Sequence, residues 1–237
     1  MYLYSNKHLN NVLISALPGI LSILLSFFSI PFFLNLISAD YYANYLIQHF
    51  ILSLGMVLNL NLGKFASIKI QRLNTIKRRE IIFTTIGASF VTGTFLAAVT
   101  YFVIFYFFDD KNFFNISLSL FIGLLVTILY IGTEHIIKGL GYFKLCSLTN
   151  FLFYSLSLSS PAFFLLIENQ NTNFLDNLFN ISLIIKFFSL IFLMSFLILK
   201  KELTFTRVNL DLFREFKTHA KWMTITSFYN QIYDYID

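Results

Sequence analysis

Apolar stretches of membrane-spanning length, separated by short polar gaps, organise this chain. They run over 12–37, 42–62, 81–108, 113–137, 145–167 and 178–199. A hydrocarbon core about 30 Å thick needs roughly 20 apolar residues in a helix rising 1.5 Å per residue. The pattern therefore predicts an all-α polytopic membrane protein, with a six-transmembrane-helix bundle occupying 1–199. A further apolar stretch opens near Trp222 and reaches only Asp237. It reads as the truncated start of a seventh helix over 222–237, with a short amphipathic tail lying on the membrane as the alternative. Residues 200–221 form the linker between them. There Leu210, Phe213, Phe216 and Ala220 recur at helical spacing while Arg214, Lys217 and Lys221 face elsewhere. This predicts an amphipathic surface helix against lipid, and 63–80 has the same capacity. The first stretch exceeds the apolar region of a signal peptide, about 7–15 residues, and no cleavage pattern follows it, so it is expected to be retained.

The polar gaps fix an orientation, because Lys and Arg in short loops stay cytoplasmic. All of the 17 Lys and Arg residues except Lys111 and Lys186 fall before the first stretch, in the second and fourth gaps, or after the sixth stretch. The other gaps carry Asp40, then Asp109, Asp110 and Lys111, then Glu168 and Asp176. A cytoplasmic N-terminus follows.

Composition narrows the possibilities further. With 57% hydrophobic and 12% charged residues, the chain has too much apolar surface for one water-soluble core. The net charge of +5 would otherwise suggest nucleic acid. Its confinement to loops beside apolar stretches makes it a topology signal instead. The single cysteine, Cys146, excludes an intramolecular disulfide, and His8, His49, His135 and His219 are scattered, so no metal centre or cofactor is implied.

Within the membrane, small and polar positions carry the information, since lipid rewards neither. Ser15, Gly19, Ser22, Ser26 and Ser29 share a face of the first stretch, and Thr85, Ser89, Gly93 and Ala97 recur every four residues in the third. Close helix packing is the first reading of both, and a cavity lining the second. Pro18 and Pro161 are placed to kink their helices, leaving backbone groups for neighbours to satisfy. In the second stretch Asn44, Gln48, Gly55 and Asn59 fall in one sector, with His49 beside it. Gln48 and Asn59 are candidate substrate-binding residues. His49 is either a candidate for proton coupling or a hydrogen-bonded packing residue.

Lys186 is the sharpest single residue. A Lys at the centre of an inserting helix costs roughly 2.5–3.5 kcal/mol and usually faces a polar environment. Ser182 and Ser189 lie on its face. Anion binding, snorkelling towards the external headgroups and a structural ion pair are the three readings. Enzyme signatures are missing: the chain has no phosphate-cradling glycine loop, H-E-x-x-H, G-x-S-x-G or paired carboxylates. No catalytic residue is assigned, and the chain is not expected to be an enzyme.

The segments LISADYYANYLI (36–47), LNLGKFASIKIQ (60–71), KGLGYFK (138–144) and HAKWMTITSFYNQIYDYID (219–237) follow in order around these stretches. Their arrangement resembles the N-terminal half of an O-antigen flippase, the Wzx-like polysaccharide branch of the multidrug/oligosaccharidyl-lipid/polysaccharide exporter superfamily. The resemblance spans the chain but only half of a twelve-helix family member. Ser38 and Ala43 stand where that family tends to have glycines, and Tyr142 stands where a basic residue is common. The resemblance implies movement of undecaprenyl-pyrophosphate-linked O-antigen repeat units across the bacterial inner membrane by alternating access, for lipopolysaccharide biosynthesis. It also implies a C-terminal half as partner, and for Lys186 a likeness to the cations that line the family's cavity. A multidrug or cation antiporter of the same superfamily is the nearest alternative, although the first stretch lacks the acidic residue many of those use. A glycan-processing membrane enzyme such as an O-antigen polymerase is the alternative from another class.

Overall fold

The computed structural model describes residues 61–107, 112–164 and 174–209 without a break, 39–58 as one helix, and most of 17–35 and 211–216. The regular structure of the described residues is helical throughout. After helical residues within 17–35 come α1 (Ala39–Leu58), α2 (Leu62–Ile70), α3 (Thr75–Phe107) and α4 (Asn112–Gly139). Then follow α5 (Phe143–Asn150), a π-helical turn (Phe151–Leu156), α6 (Ser157–Phe164) and α7 (Phe174–Leu199).

Among the described residues, 3 helices are long and apolar enough to cross a membrane: Thr75–Val103, Leu118–Gly139 and Phe179–Leu199. These coincide with the third, fourth and sixth predicted stretches, and they make this a membrane protein by length and composition. The second predicted stretch is a 20-residue helix whose Asn44, Gln48 and His49 reduce its apolar character. The fifth is helical from Phe143 to Phe164 but is divided by the π turn. The predicted start of a seventh helix, 222–237, lies outside the described residues, as do Ser15, Gly19, Ser22 and Ser26 of the first stretch.

The chain divides into two compact units, the first formed by Met1–Phe50 with Tyr142–Ser189 and the second by Ile51–Gly141 with Leu190–Asp237. In the second unit, α2, α3 and α4 pack on faces of small residues. A Cβ on Gly63 would lie 2.7 Å from the Gly132 carbonyl oxygen, and one on Gly139 would lie 2.7 Å from the Ser67 Cα. Backbones this close gain dispersion contacts that lipid cannot supply, which is how apolar helices associate in a bilayer. The Thr85/Ser89/Gly93/Ala97 face is buried within α3: Ser89 meets Gly132, and Gly93 meets Leu125 and Ile128. Thr85, Thr92, Thr94 and Thr100 each donate to the carbonyl four residues back, so their hydroxyls need no external partner.

The stretch 62–70 packs one face into the second unit. Leu62, Gly63, Phe65, Ala66 and Ile70 are buried, and Phe65 stacks edge-on against Phe216. Of the surface helix expected in 200–221, the described part is helical at 211–212 and 214–216 with Leu212 buried, and Leu210, Phe213 and 217–221 lie outside the described residues; Asn209 anchors its start to α3. The Asn209 N–H donates to Thr84 Oγ1 at 2.9 Å, while its Oδ1 accepts the Leu212 N–H at 3.1 Å.

Local chemistry sets the helix ends. Asn74 Oδ1 accepts the Lys77 N–H at 3.1 Å, so α3 starts at a capping Asn, before the apolar run at Ile81. α7 closes in a Schellman turn, with Glu202 N–H on the Leu197 carbonyl, Lys201 N–H on the Ile198 carbonyl, both 2.9 Å, and Lys201 at φ +56°. Glu202 emerges from this turn to accept two bonds from Arg78, 2.9 Å to Nε and 2.5 Å to Nη2. Lys69 pairs with Glu215, and Lys138 with the buried Glu134 one turn away. The cations that predict a cytoplasmic face thus also hold the second unit together at that end.

Candidate functional site

The first unit contains a buried polar cluster built from α1, α6 and α7. Lys186 is 5% exposed, and its flanking Ser182 and Ser189 are 0% and 1% exposed. Its Nζ lies 5.2 Å from the centre of the Phe153 ring, placing the ammonium against an aromatic face. Among the described residues no carboxylate forms an ion pair with it. The side chain is folded into protein, so neither snorkelling nor an ion pair with a described residue accounts for its position.

Ser182 Oγ and His49 Nε2 share a hydrogen bond of 3.2 Å. His49 is an electrostatic neighbour of Lys186, and its ring sits 4.5 Å from that of Tyr45 and 5.8 Å, edge-on, from that of Phe179. Tyr45 is 1% exposed. Its hydroxyl donates to the Leu158 carbonyl at 3.0 Å, with the Ser157 carbonyl at 3.5 Å.

Those two carbonyls belong to the turn that Pro161 opens. Pro161 has no N–H for the carbonyl four residues earlier, which is that of Ser157, and its ring crowds that turn. The preceding π-helical residues widen the helix further. In a membrane interior such groups must find donors within the protein; the Ser157 carbonyl has the Tyr45 and Ser160 hydroxyls at 3.5 Å each, while the closer Tyr45 bond goes to Leu158. Ser157 and Ser159, buried beside it, turn their hydroxyls back onto the carbonyls of Phe153 and Ser155. Tyr45 of α1 is thus tied to the turn of α6 that contains Pro161.

Of the sequence-predicted site residues, the structure brings together Lys186 and His49. Of the predicted stripe Asn44 is exposed, Gln48 half-buried and Gly55 buried. Tyr45 and Leu52 are buried on α1, and His49 is half-buried like Gln48. An amide tolerates a half-wet position, whereas the large aromatic ring gains more from burial. Asn59 lies outside the described residues. Tyr45 is the site residue that periodicity overlooks. Its signal is its place one turn before His49, combined with a proline elsewhere that leaves carbonyls to be met. Among the described residues no group of His, Cys, Asp and Glu is arranged to hold a metal ion.

No family model, curated protein or solved structure matches the chain. The chemistry of the cluster therefore carries the functional reading: a basic side chain, serine hydroxyls and aromatic faces are enclosed together, the groups that pair with an anion.

Proposed function

We propose that the chain forms part of a transporter that moves a lipid-linked anionic oligosaccharide across a membrane by alternating access. The reading specifies an undecaprenyl-pyrophosphate-linked O-antigen unit, the bacterial inner membrane and a cytoplasmic N-terminus. The observation that carries it is Lys186, a buried ammonium with no carboxylate partner among the described residues, lined by Ser182, Ser189 and Phe153. A charge in that position is costly unless an anion completes it, and a pyrophosphate supplies one. The sequence resemblance supplies the class of cargo, and the alternation of basic loops supplies the orientation.

The test is transport by the complete protein in proteoliposomes, with a fluorescent polyprenyl-pyrophosphate glycan whose outer-leaflet fraction is quenched from solution. Lys186→Met is expected to abolish translocation, while Lys186→Arg keeps the charge and retains part of it. Unchanged translocation by Lys186→Met would end the proposal.

A further inference from the structure

Among the described residues, one helical segment departs from α geometry, the π turn at Phe151–Leu156. It carries Phe153, which is 0% exposed and presents its ring to Lys186 Nζ at 5.2 Å. A π turn holds one residue more than the α-helix it interrupts, and such insertions are frequent at functional sites. Ser157 closes this one with both of its donors. Its N–H reaches back five residues to the Leu152 carbonyl, the π bond, while its Oγ donates to the Phe153 carbonyl. In an α-helix that second carbonyl is the partner of the Ser157 N–H itself.

The π and α registers therefore differ by moving one N–H between adjacent carbonyls. When it moves to Phe153, the Leu152 carbonyl takes the Leu156 N–H, so neither is orphaned in a membrane interior. Upstream, α5 is only 8 residues long, so the slip displaces about two turns of helix. With the Ser157 N–H on the Phe153 carbonyl, each residue before Ser157 steps into the place of the one preceding it, a move of about 3.8 Å. Tyr154, whose half-buried ring already lies 5.0 Å from that of Phe153, arrives where Phe153 stood. The two side chains suit different states of Lys186. The face of the Phe153 ring is electronegative, so it attracts an ammonium and repels an anion. The Tyr154 hydroxyl is a donor, which an anion requires.

We propose that Tyr154 is a further binding residue for the pyrophosphate, brought to Lys186 by a one-residue slip of the π turn. Before loading, Phe153 covers the cation; on loading, Tyr154 takes its place and donates its hydroxyl to the anion, a charge-assisted bond. Ser157 is the positioning residue, since its hydroxyl satisfies the Phe153 carbonyl only while the turn is in the π register. The proposal rests on the reading of Lys186 as an anion site.

The experiment places 3-fluorotyrosine at position 154 of the full chain in nanodiscs and follows its fluorine resonance during titration with a short-chain polyprenyl pyrophosphate. The resonance is expected to move to a new position at saturation, and to stay unmoved in Lys186→Met. Ser157→Ala leaves the Phe153 carbonyl without its hydroxyl donor in the π register, so its unloaded resonance should already lie towards the loaded position. Binding measured on the same preparations should weaken about tenfold in Tyr154→Phe, as for one hydrogen bond to a charged group, and strengthen about threefold in Phe153→Leu, where no ring competes for the ammonium. Unchanged binding by Tyr154→Phe, or a Tyr154 resonance unmoved at saturation, would overturn the slip while leaving Lys186 as the anion site. Full binding by Lys186→Met would overturn both readings together. The fluorine label alters a single ring hydrogen, so it decides the question even if a variant does not fold.

Discussion

Tyr45→Phe removes one oxygen and leaves the aromatic packing in place, so it isolates the clamp on the opened turn of α6. The lost bond is the 3.0 Å donation to the Leu158 carbonyl, with the weaker 3.5 Å approach to the Ser157 carbonyl. A buried carbonyl left unsatisfied costs about 1–3 kcal/mol, and hydrogen bonds measured inside membranes average about 0.6 with a maximum near 1.7. The expected loss is about 1–1.5 kcal/mol, a melting shift of roughly 3–5 °C for a chain of this size. A simple loss would follow from any buried hydroxyl, so the decisive measurement is a double-mutant cycle with Pro161→Ala. Alanine restores an N–H in reach of the Ser157 carbonyl and lets the turn close, which removes the reason for the clamp. In that background Tyr45→Phe is expected to cost less than half as much. Thermal unfolding of the four proteins in one detergent, followed by light scattering and intrinsic fluorescence, provides the cycle. Equal costs in the two backgrounds would refute the link between the proline and Tyr45.

Further expectations concern packing, strain and charge. Gly139→Ala forces a Cβ to 2.7 Å from the Ser67 Cα and 2.9 Å from its carbonyl oxygen, so it should destabilise by about 1–3 kcal/mol; Gly87→Ala has open space and should stabilise by up to about 1 kcal/mol. The same melting assay separates them, and equal effects would contradict the close α2–α4 approach. Lys201 occupies a left-handed position at φ +56°, so Lys201→Gly should raise stability by about 1 kcal/mol, while Lys201→Ala should not. Lys186→Met replaces a buried ammonium by an apolar chain of similar length and should raise the melting temperature while abolishing transport; a lower melting temperature would mark Lys186 as structural.

Much of the helical architecture is legible in the sequence, because spans such as Thr75–Val103 and Phe179–Leu199 are apolar enough to admit no other reading. Helix faces are harder to read. In water a buried face is the apolar one, but in a bilayer both protein and lipid accept apolar residues, so Tyr45 and Asn44 exchange the places that polarity alone assigns them. The packing of α2 was hidden for the same reason: Leu62, Phe65 and Ile70 are the apolar face of a helix that reads equally well as lipid-facing. Costly groups are better guides. Lys186 and Ser182 are placed together by spacing alone, and the structure encloses both. His49 belongs to a different helix, and only the fold brings it to Ser182. The π turn before Pro161 has no sequence signal in 151–156 beyond its nearness to the proline.

Ser182 joins the cation to the clamp, and its chemistry limits what the cluster can do at one time. A serine hydroxyl has one proton to donate. Ser182 Oγ shares a hydrogen bond of 3.2 Å with His49 Nε2, and the His49 ring lies against Tyr45, whose hydroxyl donates to the Leu158 carbonyl of α6. An anion drawn to Lys186 arrives one helical turn away, where that proton is the nearest neutral donor, and charge-assisted bonds are the stronger ones. Where the hydroxyl donates to His49, turning it to the anion releases that ring, whose neighbour Tyr45 holds the turn of α6 that contains Pro161. Ser182→Ala separates the two roles. Anion binding, carried mainly by Lys186, should weaken only a few-fold, since one neutral hydrogen bond is worth about 1 kcal/mol. Translocation should fall much further, because the message to α6 is lost. Pyrophosphate-glycan binding by microscale thermophoresis and quench-based flipping on the same preparation measure both, and equal proportional losses would show that Ser182 only binds.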